Sequence, residues 1–203
     1  MNDLYATVIH EVKNQLAELA MRLGKRPDTS VEAAIALSAS RRLSEILLLK
    51  REGEHALWAN ADSVNPGDFL AELAAEYREF HPGLDIGVDL SRAPVFAFFD
   101  EALVRMGLGC AVHNACRHAK RAVTLSAFET EGMLALEVAD DGPGFPDEIL
   151  DGAGRVPAPA SGTGTGLGLY LAGRIAALHQ AGGRSGRIEL ANAGGARFRM
   201  LLP

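Results

Sequence analysis

Near the start of the chain, apolar residues recur at spacings of 4, 3, 4, 3 and 4: Tyr5, Ile9, Val12, Leu16, Leu19 and Leu23. That alternation keeps one stripe of a helix apolar and has the period of packed helices. Gly24 can close this helix, and Pro27 bars its simple continuation. Thr29 or Ser30 can cap a second helix, with Glu32 in its first turn and Val31, Ile35, Ala39, Leu43 and Ile46 along one face. Two helices joined by a short turn predict an antiparallel hairpin over residues 1–56. A lone hairpin cannot bury both stripes. A second copy of the chain, completing a four-helix bundle, is the economical solution; the other is packing on the rest of the same chain.

From about residue 60 the pattern changes. Asn65-Pro66-Gly67-Asp68 opens a helix carrying Phe69, Leu70, Leu73, Ala74 and Tyr77, and His81-Pro82-Gly83 ends it. Ile86, Val88 and Leu90 alternate with Gly87 and Asp89, as in a strand. Phe99 to Ala119 reads as a buried helix. Val123 to Phe128 and Met133 to Val138 read as strands about a turn at Glu131-Gly132. Leu167 to Leu178 reads as a helix, and Arg187 to Ala191 with Arg197 to Leu202 as a final hairpin. Strands and helices mix without βαβ repetition, which predicts an α+β domain over residues 60–203.

The formal charge of −6 gives no general attraction to nucleic acid or to an anionic membrane. No apolar run approaches the roughly 20 residues that cross a bilayer, and Met1-Asn2-Asp3-Leu4-Tyr5 lacks the basic and apolar parts of a signal peptide. Cys110 and Cys116 fit neither a metal pair nor a redox pair, and both are expected as buried packing residues. The expected compartment is the cytoplasm.

Three clusters carry chemistry. Asp140-Asp141-Gly142-Pro143-Gly144-Phe145 follows a strand, and Gly162-Thr163-Gly164-Thr165-Gly166-Leu167-Gly168-Leu169 opens a helix. Glycines before a helix let backbone N–H groups approach phosphate oxygens, with the helix dipole in favour. A carboxylate at a strand end can accept from an exocyclic amine such as that of adenine. The stretch between them, Pro146 to Ser161, is rich in Gly, Pro and Ala and is expected to be mobile. The third cluster, His113-Asn114-Ala115-Cys116-Arg117-His118-Ala119, offers the Asn114 carbonyl oxygen to Mg²⁺ and the Arg117 guanidinium to phosphate. Taken alone, either glycine cluster could be a turn, Asn114 a polar group bonded to backbone, and Arg117 a surface charge.

In this order the clusters resemble the ATP-binding fold shared by histidine kinases, gyrase, Hsp90 and MutL. Asp140, Gly142 and Gly144 match that family's first glycine box. Gly164, Gly166, Leu167, Gly168 and Leu169 match its second, with Gly162 just ahead, and Asn114 matches its metal-binding Asn. His118 stands where the family often has Tyr or His at the nucleotide's edge, whereas Cys110 stands where it often has a further Asn. Val8-Ile9-His10-Glu11-Val12-Lys13-Asn14-Gln15-Leu16 resembles the phosphoacceptor box of two-component sensor histidine kinases. With Ile9 and Val12 in the seam, His10 faces outward. Its imidazole can be neutral and nucleophilic at cellular pH, with Glu11 beside it as general base. The resemblance gives Asn14, one turn on, the task of orienting water during dephosphorylation of the partner.

The resemblance therefore implies a Mg²⁺- and ATP-dependent kinase that phosphorylates His10 and passes the group to an aspartate of a response regulator receiver domain, with phosphatase activity toward that regulator. It implies a homodimer and leaves room for a separate sensory partner and for the chain being a piece of a longer kinase. The alternative is a dimeric histidine phosphotransfer protein with a non-catalytic nucleotide-binding-like domain.

Overall fold

The computed structural model describes residues 2–24, 32, 35, 36, 39, 40, 43, 58–152 and 167–203. They divide into two units, Met1–Leu57 and Trp58–Pro203. In the first, α1 spans Asn2–Gly24, ending at the expected glycine. Residues 32, 35, 36, 39, 40 and 43 are helical, and the Ser40 hydroxyl donates to the Lys13 carbonyl at 3.0 Å. Small residues make this approach: Ala20, Ala36 and Ser40 are buried. Val12 and Leu19 of the predicted seam stay 41% and 46% exposed, as does Ile35 at 64%. Leu16, Leu23, Ala39 and Leu43 of the same stripes are half-buried. Thr29, Ser30 and the turn at residues 25–28 lie outside the described residues.

The second unit begins with β1 (Asp62–Val64) and α2 (Pro66–Phe80). Asn65 caps α2, its Oδ1 accepting from Gly67 N–H at 2.8 Å and Asp68 N–H at 3.2 Å, with Pro66 in the first turn where no N–H is needed. After β2 (Asp85–Asp89) comes β3 (Ala97–Phe99), which pairs with β1 in a two-stranded ribbon. This ribbon was not legible as strands, and it corrects the helix expected from Phe99. That helix, α3, runs over Glu101–His118, because Asp100 caps it by accepting from Leu103 N–H at 3.0 Å.

β4 (Ala122–Thr130) and β5 (Met133–Asp140) form a hairpin, turning at Glu131 (φ 52°) and Gly132 (φ 68°). Two consecutive left-handed residues match the twist of the flanking strands. A single helical turn, α4 (Asp147–Gly152), stands at the head of the stretch expected to be mobile. Helix α5 (Leu167–Leu178), the short pair β6 (Gln180–Ala181) and β7 (Arg184–Ser185), β8 (Arg187–Asn192) and β9 (Ala196–Leu202) complete the unit.

The main sheet has the order β2-β4-β5-β9-β8 and is mixed, since β2 runs parallel to β4 while the remaining neighbours are antiparallel. One sheet face carries Leu125, Leu136, Val138, Phe198 and Met200, all buried. The core lies between this face and α2, α3 and α5, whose buried sides hold Leu70, Leu73, Val104, Leu108, Leu171 and Ile175. The opposite face is polar at its centre. There Glu137 accepts from Arg199 Nε at 2.6 Å, and Arg197 Nε lies 3.7 Å from its other oxygen. Helices on one face of a mixed sheet make an α+β layer, as the pattern predicted.

Candidate functional site

The first glycine cluster hangs on one carboxylate. β5 ends at Asp140, whose Oδ1 accepts from Gly142 N–H at 2.7 Å and from Ala196 N–H at 3.2 Å. Both approaches need bare backbone. A Cβ on Gly142 would lie 2.5 Å from the His118 carbonyl oxygen and 2.8 Å from Asp140 Oδ1, and one on Gly195 would run into the Asp140 carbonyl. Asp140 Oδ2 takes no hydrogen bond among the described residues. The side chain is therefore fixed by one oxygen and leaves the other to accept.

Asp141 ties the same loop to the end of α3. Its Oδ1 accepts from Lys120 N–H at 2.8 Å and Arg121 N–H at 3.0 Å. The Arg121 N–H first, helped by those of Ala122, Lys120 and Asp141 itself, outweighs desolvation and holds this carboxyl below its usual range. Gly144 has φ 88°, a conformation that suits glycine. Beyond it, Phe145 N–H donates to Asn192 Oδ1 at 2.7 Å, and Asn192 Nδ2 donates back to the Phe145 carbonyl at 2.9 Å. The loop is thus clamped to the β8–β9 turn on one side and to the α3–β4 connection on the other.

Of the third cluster, Asn114 is half-buried near the end of α3, while Arg117 and His118 are exposed in its last turn. His118 also contributes the carbonyl against which Gly142 packs. Cys116 is buried as expected. Cys110 is only half-buried, its thiol directed at the Met106 carbonyl at 3.3 Å, which corrects the expectation that both cysteines are interior.

α3 and α5 lie antiparallel. The Asp100 N–H donates to His179 Nε2 just past the end of α5 at 3.0 Å, and a Cβ on Gly107 would lie 3.2 Å from Ile175 Cδ1 and 3.4 Å from Ala172 Cα. Continuing that register by about two turns brings Asn114 level with the start of α5. There Leu167, Gly168 and Leu169 are half-buried; Gly162, Gly164 and Gly166 lie outside the described residues. The backbone therefore places Asp140, Gly142, Gly144, Asn114, Arg117 and His118 about the same end of this unit as the start of α5.

His10, Glu11 and Asn14 belong to the other unit. All three are helical in α1, and Glu11 and Asn14 are exposed. Among the described residues no group of three or more His, Cys, Asp or Glu could hold a metal ion. A divalent cation here would take its oxygens from Asn114, water and a ligand's phosphates, as Mg²⁺ commonly does. No described helix is long and apolar enough to cross a membrane. Sequence reasoning missed Asn192, Gly195 and His179, whose roles rest on tertiary partners, and it saw Asp141 only as a member of its cluster.

A family model described as histidine kinase-, DNA gyrase B-, and HSP90-like ATPase matches residues 99–203, a little over half of the chain. No curated protein matches. Among solved structures, full-length ShkA in complex with AMPPNP aligns at TM-score 0.68 and 22% identity over 99% of this chain; this chain spans 45% of that one. The Acinetobacter baumannii histidine kinase AdeS aligns at TM-score 0.66 and 16% identity, covering 87% of this chain and 84% of its own. The ATP-binding domain of PrrB from Mycobacterium tuberculosis aligns at TM-score 0.56 and 27% identity, covering 70% and 96%. On the family match and the site that lies within it, the chain belongs to the histidine kinase-, DNA gyrase B- and HSP90-like ATPases.

Proposed function

We propose that this chain is a histidine kinase that binds Mg²⁺·ATP in its second unit, phosphorylates His10, and passes the phosphoryl group to an aspartate in the receiver domain of a response regulator. The observation that carries the reading is Asp140, with one oxygen pinned by Gly142 and Ala196 and the other left to accept from the adenine amine. Asn114 would supply an oxygen to Mg²⁺, and Arg117 with the glycine-led start of α5 would face the phosphates. His118 would edge the nucleotide.

In the transfer step a ring nitrogen of His10 attacks the γ-phosphorus. The new P–N bond forms as the bond to the ADP oxygen breaks, and the ring proton passes to Glu11. Asn14, exposed one turn along, would orient water when the same surface dephosphorylates the regulator. Homodimerisation is supported by the exposed apolar residues Val12, Leu19 and Ile35, a stripe that a single chain leaves in water.

ATP labelled on its γ-phosphate should transfer label to the pure protein. The product should be stable in base and labile in acid, as a phosphoramidate is, and absent from His10→Gln although that variant still binds ATP. Label retained in His10→Gln refutes the assignment. A wild-type protein that binds no ATP but accepts phosphate from another phosphoprotein would mean the phosphotransfer alternative.

A further inference from the structure

His179 falls outside the candidate site, yet it is 4% exposed and bonded at both ring nitrogens. Nε2 accepts the Asp100 N–H at 3.0 Å, so it carries no proton in this arrangement, and Nδ1–H donates to the Ile175 carbonyl at 2.9 Å. The first bond crosses from the end of α5 to the residue that caps α3. Asp100 is itself held there, accepting from Leu103 N–H through Oδ1 and from Asn60 N–H through Oδ2, each at 3.0 Å.

Between these ends the two helices meet partly through small residues. Gly107 of α3 faces Ala172 and Ile175 of α5, and Ala111, Ala172 and Ala176 are buried. Small side chains permit close approach but make shallow ridges, which resist sliding along the axis less than interlocked large ones do. The directed hydrogen bond at one end adds an axial constraint to this packing. The far ends of the same helices are the ones that matter: Asn114, Arg117 and His118 on α3, and Leu167, Gly168 and Leu169 on α5.

The geometry points to His179 as a positioning residue that sets the axial register of α5 against α3, and through it the spacing between Asn114 and the start of α5 at Leu167. This inference rests on the ATP reading above for its functional consequence, but not for the register itself. His179 touches neither nucleotide nor metal; it acts through Asp100.

Two substitutions separate the ring's bonds in the full-length protein. His179→Gln can place an oxygen near the Nε2 position and keep the bond across to Asp100, while His179→Asn can keep only the donation to Ile175. Mg²⁺·AMPPNP affinity is read by calorimetry, and backbone amide shifts of the nucleotide-free protein by NMR. The expectation is a roughly tenfold or greater loss of affinity in His179→Asn, against a loss within about threefold in His179→Gln, because tenfold is about 1.4 kcal/mol, the order of one misplaced hydrogen bond. Amides of Asn114 to Ala119 should shift in nucleotide-free His179→Asn and stay near wild type in His179→Gln. A merely structural role lowers the melting temperature without this ordering. Equal affinities and equal spectra for the two variants overturn the inference. A wild type that binds no nucleotide sinks the ATP reading instead, and the nucleotide-free spectra then decide the register alone: displaced amides in His179→Asn support it, unmoved ones overturn it.

Discussion

Asp140 holds two backbone N–H groups with one oxygen, and changing it to Asn or Ala separates that work from ligand recognition. The bond from Gly142 at 2.7 Å lies in the charge-assisted range, while that from Ala196 at 3.2 Å is at the long edge of a normal hydrogen bond. Removing both in Asp140→Ala leaves two N–H groups to find water in a half-buried site and should cost about 2–3 kcal/mol of stability. Asp140→Asn has a single amide oxygen. The two N–H groups hold that oxygen inward, so stability falls by about 1 kcal/mol or less. The outward group then becomes an NH₂, a donor facing the donor of adenine. Loss of a hydrogen bond to a charged acceptor, with an N–H left opposite it, amounts to about 3 kcal/mol, or roughly a hundredfold in affinity. Urea unfolding gives the first quantity and calorimetry with ATP the second. ATP affinity in Asp140→Asn within a few-fold of wild type would refute the adenine assignment. An Asp140→Ala no less stable than Asp140→Asn would refute the structural half of the argument.

Gly142→Ala puts a methyl 2.5 Å from the His118 carbonyl, a backbone atom that cannot swing aside, so it should cost about 1–3 kcal/mol by urea unfolding and weaken nucleotide binding with it. Asp141 has a carboxyl held low by backbone N–H groups, so its stabilisation is fully present above the unfolded-state value and is lost as pH falls through the lower folded value. The stability gap between wild type and Asp141→Asn should therefore be widest near neutrality and close in acid; a gap that grows on acidification contradicts the assignment. Arg105 bonds Glu76 at 2.7 Å and both Glu72 and Glu101 at 2.9 Å. Burial alone would lower its pKa, but Glu101 and Glu72 raise it on balance. Because the partners are exposed, Arg105→Met should cost only about 0.5–1 kcal/mol, and less at high salt.

What the sequence made legible follows from which features are local. The heptad spacing, the cap at Asn65-Pro66 and the turn at Glu131-Gly132 each specify backbone within a few residues, and α1, α2 and the β4–β5 hairpin stand where those signals put them. The ribbon of β1 and β3 was missed because each strand is three residues long and its pairing joins positions 62–64 to 97–99. At that length alternation carries no information. Asn192 and His179 were missed for the same reason: nothing near either residue announces that its partner is Phe145 or Asp100. For Gly195, the atom that forbids a side chain is the Asp140 carbonyl, reached only when β9 pairs with β5.

The polarity of the two helices at the candidate site gives the composition of that site a physical logic. α5 brings its N-terminus, where free N–H groups and the dipole favour an anion. α3 brings its C-terminus, where free carbonyls and the opposite dipole disfavour one, and because the helices are antiparallel the two ends share the same side of the unit. A phosphate chain lying between them would be attracted at one helix and repelled at the other. Arg117 occupies the last turn of α3, where its positive charge offsets the carbonyl end, and Asn114 offers an oxygen rather than a carboxylate, which would have added to the repulsion. On this argument a divalent cation held near Asn114 would neutralise the unfavourable half of the site. ATP affinity should therefore fall far more on removing Mg²⁺ than on raising monovalent salt, because screening acts equally on the attractive and the repulsive helix end.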